Sequence, residues 1–124
     1  MREILFRGKR IDNGRWEEGY FLKYALIYEE QTYILPLGSV CDSGIEIDPE
    51  TVCQYTGLTD RNGRKIFEGD ILSHDGVGNI KVQFKKSEFL ALGITHDMFS
   101  TLLSSVYKDC EVIGNIFDNP ELIN

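Results

Sequence analysis

Gln54-Tyr-Thr-Gly-Leu-Thr-Asp-Arg-Asn-Gly-Arg-Lys-Ile-Phe-Glu-Gly-Asp-Ile-Leu72 sets two apolar, strand-like pieces around a polar reversal, Asp60-Arg-Asn-Gly63. An Asn-Gly pair readily takes up the two left-handed conformations of a type I′ turn. The stretch therefore predicts a chain reversal feeding a buried strand, with Gly63 at positive φ.

Outward from this stretch the chain reads as short strands. Ile4-Leu-Phe6 and Arg15 to Leu22 flank Asn13-Gly14, a hairpin signal. Trp16 and Tyr20 share one face with Glu18 between them, which predicts a bulge near Gly19 or an edge position for Glu18. Thr32 to Leu35 ends at Pro36, and residues 37–44 read as a loop. Asp48-Pro-Glu-Thr51 carries an N-cap followed by proline at the first helical position. Further on, Asn79 to Phe84 alternates, with Ile80, Val82 and Phe84 on one face and Lys81 and Gln83 on the other. Phe89 to Leu92 and Glu111 to Phe117 are further strands. Met98, Phe99, Leu102, Leu103 and Val106 recur at helical spacing and predict a short amphipathic helix over 97–107.

The quoted stretch resembles the central motif of the YopX family of phage and prophage proteins. Glu111-Val-Ile-Gly-Asn-Ile-Phe-Asp-Asn-Pro-Glu-Leu122 is similar to that family's C-terminal signature, and Met1-Arg-Glu-Ile-Leu-Phe-Arg7 to its start. The resemblance implies a mainly β fold in two parts and a bacterial host, and it implies no particular activity. Together with the strand order it leads to a mainly β, minor α expectation. An N-terminal β lobe covers about residues 1–57 and a C-terminal SH3-like small barrel about 58–124. Ile71, Ile80, Val82, Phe84, Leu90, Val112 and Ile116 are the expected barrel core.

At 124 residues, 42% of them hydrophobic, the chain suits one YopX-like domain. Thirteen basic against twenty acidic residues give a charge of -7. That balance disfavours nonspecific attraction to nucleic acid or an anionic membrane. No apolar run approaches the roughly 18 residues of a membrane span, and no secretory signal is visible. The expected location is the bacterial cytoplasm. Cys41, Cys53 and Cys110 lack metal-ligand spacing and are expected as free thiols, Cys41 the most accessible. No metal or cofactor is expected.

Glu68, Asp70, His74 and Asp75 form the densest titratable cluster, and in a hydrolase they would supply an acid and a base. Their places at a strand entrance and in the Asp75-Gly76 turn favour a structural role. Arg61, Arg64 and Lys65 in the central turn and Lys81, Lys85 and Lys86 on the neighbouring strand form a candidate basic rim for nucleic acid or a protein partner. The leading functional expectation is a non-enzymatic accessory protein that self-associates, through its N-terminal lobe or the 24–44 segment, and binds an unidentified phage or host protein. A nucleic-acid-binding module is the alternative, and a hydrolase is ranked below both.

Overall fold

The computed structural model describes residues 5–25, 30–36, 44–94 and 100–123. The chain is mainly β, and its packing divides into two units, Met1–Tyr55 and Thr56–Asn124. The first holds β1 (Phe6–Lys9), β2 (Trp16–Ala25), β3 (Glu30–Pro36) and β4 (Ile45–Glu46). Strand β5 (Cys53–Thr59) carries the chain into the second unit, which continues with β6 (Lys65–Phe67), β7 (Asp70–His74), β8 (Gly78–Lys85), β9 (Glu88–Gly93), β10 (Ser100–Leu102) and β11 (Cys110–Asn115).

In the first unit the antiparallel order is β4-β3-β2-β1-β5. β2 runs in unbroken register through Gly19, so no bulge forms there. Glu18 pairs with Arg7 of β1, while the described pairing with β3 begins only at Gly19, so Glu18 stands past the end of β3, on an open face with Tyr20, which is 58% exposed. Gly19 is fixed by close approach: a Cβ there would collide with the Leu35 carbonyl of β3. Gly8 makes room in the same way for the Ile47 side chain. Ile34 and Ile47 are fully buried, and the Phe6 and Phe21 rings stand 5.4 Å apart. Trp16 packs under two cations, with the Arg7 guanidinium 4.6 Å and the Lys9 ammonium 5.4 Å from its ring centre. Asp48 caps a 3-10 turn at Pro49–Thr51 by accepting from the Glu50 N–H at 3.0 Å, as its sequence predicts.

The second unit is built on a five-stranded antiparallel sheet, order β10-β9-β8-β7-β11. Its inner face carries Leu72, Ile80, Val82, Ala91, Cys110 and Val112, and Ile66 and Leu103 complete this buried core. Among the described residues the sheet has two ends and no barrel closes, against the expected SH3-like barrel. The strands β7, β8 and β9 follow one another as hairpins, and β11 returns beside β7, not beside β10, which would be needed for closure. Of the expected core, Ile71, Ile80, Val82 and Val112 are buried. Leu90 and Ile116 are half-buried, and Phe84 is 37% exposed because it lies near the end of its strand, its ring tilted against that of Phe89 at 4.7 Å.

The expected helix over 97–107 does not form in its described part. Residues 100–102 are β10, followed by 3-10 turns at Leu103–Ser105 and Tyr107–Asp109, while residues 97–99 lie outside the described residues. Ser100-Thr101 and Ser104-Ser105 are weak helix formers, and pairing with β9 offers the backbone its hydrogen bonds instead. Leu103 is still buried and Val106 packs on the core, so the apolar spacing marks the buried side chains and misstates the backbone.

Two reversals exchange the chemistry that their sequences suggest. In the central turn only Gly63 is left-handed, at φ 83°, so Asn62-Gly63 is not type I′. The β8–β9 hairpin joins Lys85 to Glu88 through Lys86 and Ser87, whose φ values are 52° and 65°. This is the type I′ pattern, made without glycine or asparagine. Left-handed backbone costs a residue with a Cβ about 1–2 kcal/mol. The double substitution K86N/S87G is therefore expected to raise stability by about 1 kcal/mol or more. A urea midpoint that stays level or falls would contradict the strain assigned to this turn.

Candidate functional site

The polar residues of the two signature stretches turn inward to their own backbone. Asp60 is 5% exposed. Its Oδ1 accepts from the N–H groups of Asn62 and Arg64, both at 2.9 Å, and its Oδ2 from the N–H of Val112 at 2.8 Å. Next to it the Arg61 N–H donates to the Cys110 carbonyl at 2.9 Å. The turn thus occupies outward-facing backbone groups of the end strand β11, as a further strand would. Burial pushes the Asp60 carboxyl up, but the bonds from Val112, Arg64 and Asn62, with the charge of Arg64, outweigh it and leave the group below its usual range.

Asp70 is 1% exposed and accepts from the Phe67 N–H at 2.8 Å. Asn115 accepts from the N–H groups of Phe117 and Asp118 at 3.0 and 2.9 Å. Asn119 accepts from the Asn115 N–H, and its amide fills the space that a Cβ on Gly114 would need. Gly69, at φ 87°, donates to the Val82 carbonyl and accepts from the Ile116 N–H, both at 2.9 Å. These contacts account for the Glu68-Gly-Asp70 and Gly114-Asn115 signatures as turn chemistry.

The titratable cluster does not converge. Asp70 and His74 occupy opposite ends of β7, about 13 Å apart at the rise of a strand. The His74 Nδ1 accepts from the Gly76 N–H at 3.0 Å and so caps its own hairpin turn. Asp75 is exposed and lies 3.7 Å from Arg61. Among the described residues no three His, Cys, Asp or Glu side chains gather as a metal site, and His96 and Cys41 lie outside them.

The six basic candidates divide between two sheets. Arg61, Arg64 and Lys65 belong to the β5–β6 reversal, and Lys81, Lys85 and Lys86 to β8 and its turn. Arg61 is paired, donating to Glu111 at 3.0 Å, with Asn62 donating to the same carboxylate at 3.3 Å. Lys81 and Lys85 have no ion pair among the described residues, although Lys85 stands opposite Glu88 in register.

These two lysines share the outer face of the sheet with a group of leucines, among them Leu90, which the sequence places in the core. Register places Lys81, Leu92 and Ser100 in one cross-strand row, and Gln83, Leu90 and Leu102 in the next. Leu90 and Leu92 are half-buried, and Leu102 is 42% exposed. The signal was in β9 itself: Phe89-Leu-Ala-Leu92 is apolar at consecutive positions and so on both faces of the strand, the pattern of a strand that is covered on both sides.

Two shallow concavities flank the exposed Ile11 in the first unit, with volumes of about 290 and 410 Å³. Their main charged group is already engaged: Arg10 donates to Asp12 at 2.8 and 2.9 Å and to Glu17 at 3.3 Å, which holds it more basic than usual. The thiols are similarly occupied. Cys110 is fully buried and donates to the Val106 carbonyl at 3.1 Å; burial, aided by Asp109, pushes it up to about 11. Cys53 donates to the Thr51 carbonyl at 3.3 Å. No helix among the described residues is long and apolar enough to cross a membrane.

Two expected outcomes follow from this geometry. Asp60→Asn removes one acceptor oxygen and aims an amide N–H at a backbone donor, a loss of about 1–3 kcal/mol. The contribution of Asp60 is complete above the ordinary carboxyl value of 3.8 and fades as pH falls through the lower folded value. Urea titrations between neutral pH and pH 2 should therefore show wild type losing its advantage over the variant at the acid end. An advantage independent of pH would contradict a charged Asp60. Separately, Cys53 and Cys110 should stay unmodified by a thiol reagent under native conditions and react on denaturation, with peptide mass spectrometry as the readout. Fast native labelling of either would refute the inert, buried assignment.

The fold has a counterpart in the crystal structure of protein EF1440 from Enterococcus faecalis. The two share 24% identity over 100% of both chains, with a TM-score of 0.58. No curated protein matches the chain. The family model described as YopX protein matches residues 5–124, nearly the whole length, and the chain belongs to the YopX family.

Proposed function

We propose that this chain is a phage- or prophage-derived accessory protein of the bacterial cytoplasm that acts by binding protein, through self-association or a separate partner, and not by catalysis. The observation that carries the reading is the outer cluster of Leu90, Leu92 and Leu102 beside two lysines that have no ion pair among the described residues. Partly exposed aliphatic groups gathered on a sheet face mark an interaction surface more than scattered ones do. The engagement of Asp70 and His74 speaks against a hydrolase built on Glu68, Asp70, His74 and Asp75, since each of the two already serves a backbone donor. Net charge of -7 and the division of the basic residues between two sheets favour a protein partner over nucleic acid. The small-barrel lobe survives in this reading as an open sheet whose outer face is covered at Ile71 of β7 and partly exposed at β9 and β10.

Light scattering at micromolar concentration, combined with affinity capture from host cells carrying an induced prophage, tests the proposal. The expected result is a mass above the 14.2 kDa of one chain, or a specific retained protein. A monomer that retains nucleic acid or nothing would overturn it.

A further inference from the structure

The second unit's sheet ends in two different ways. At β11 the Asp60 turn covers outward backbone groups and Glu111 is engaged by Arg61 and Asn62. At the other end the outer face of β8, β9 and β10 shows leucines and lysines with no such engagement among the described residues.

The layout of that face has a chemistry and a length. Leu90 and Leu92 are two residues apart on β9, about 6.6–6.8 Å, close to the spacing of successive turns of a helix laid along the strand. Leu102, opposite Leu90, widens the apolar track toward β10. Lys81 and Lys85 run along the β8 flank, four residues or about 13 Å apart. On a helix that distance is about two and a half turns. The opposite flank, Ser100, is uncharged. In a chain of net charge -7, this face carries two cations, Lys81 and Lys85, against one carboxylate, Glu88, which stands opposite Lys85 and leaves Lys81 with no carboxylate across from it.

We propose that this face receives an acidic amphipathic helix of a partner protein, lying along β9 with its apolar stripe on Leu90, Leu92 and Leu102 and its carboxylates toward Lys81 and Lys85. The inference rests on the protein-binding reading above and adds the surface and the partner's chemistry. Helix-in-groove recognition uses apolar anchors at i, i+3 and i+4, and charges on the flank set partner choice. A second copy of this chain offers no such helix among its described residues, where only strands and 3-10 turns occur, and nucleic acid has no use for the leucine row.

The test is a selection of helical peptides from a random display library of about sixteen residues, or roughly four turns, against the full chain. The enriched sequence is then synthesised and measured on variants. The expected result is enrichment of acidic peptides with aliphatic residues at helical spacing. Binding should weaken about tenfold or more for K81E/K85E and for L102Q, and remain unchanged for I11Q in the first unit. A peptide with lysine in place of its acidic residues should prefer K81E/K85E over wild type. No enrichment, enrichment of basic or extended peptides, or binding indifferent to both variants would overturn the proposal. Self-association of wild type that L102Q abolishes would also overturn it, by making a second copy the occupant. A captured partner whose binding ignores K81E/K85E and L102Q would sink this surface while leaving the protein-binding reading intact.

Discussion

One buried carboxylate organises the second unit. Asp60 closes its own turn with one oxygen and holds the N–H of Val112 with the other. An orphaned buried donor costs about 1–3 kcal/mol, so three N–H groups depending on one side chain make the position intolerant of shortening or neutralisation. The same contact fixes where β11 lies, and β11 fixes β7, from which the hairpins β8 and β9 continue. The turn also shields an end strand that would otherwise offer backbone groups to another chain. Local turn chemistry and long-range strand placement are therefore one interaction.

The parts of this fold that were legible in the sequence are those with a local cause. Alternation of Ile80 and Val82 identified a strand and its buried face. Asp48-Pro49 announced a capped turn, and Gly63 announced a left-handed residue. Each depends on a few neighbouring residues, and tertiary structure did not oppose them.

The misreadings have a common origin in ambiguous spacing. Leu102, Leu103 and Val106 fit a helical stripe, but a strand ending in a 3-10 turn buries Leu103 and packs Val106 just as well. Lys86-Ser87 carries no glycine, so nothing local marked it as left-handed; the register of β8 on β9 imposes it. The barrel was inferred from strand order, and closure depends on which strand meets which. The candidate surface was hidden for a related reason: Leu90 reads as core, and only register shows that Ala91 faces the interior instead. The role of Asp60 was half visible, as the start of a turn, while its partner Val112 stands 52 positions later.

That separation also orders events during synthesis. β7 leaves the ribosome long before β11, yet β11 is its neighbour in the sheet. Until the last residues emerge, a nascent chain holds the hairpins β7 to β9 with one side of β7 uncovered and with Asp60 short of its distant donor. Translation adds about 5–20 residues per second, so the exposed interval lasts seconds, long on the scale of hairpin formation. In that interval the partly made protein presents a strand edge that the finished one conceals. The C-terminal segment acts as a late seal, and chains cut short before Cys110 are the form most open to wrong pairing and to proteolysis.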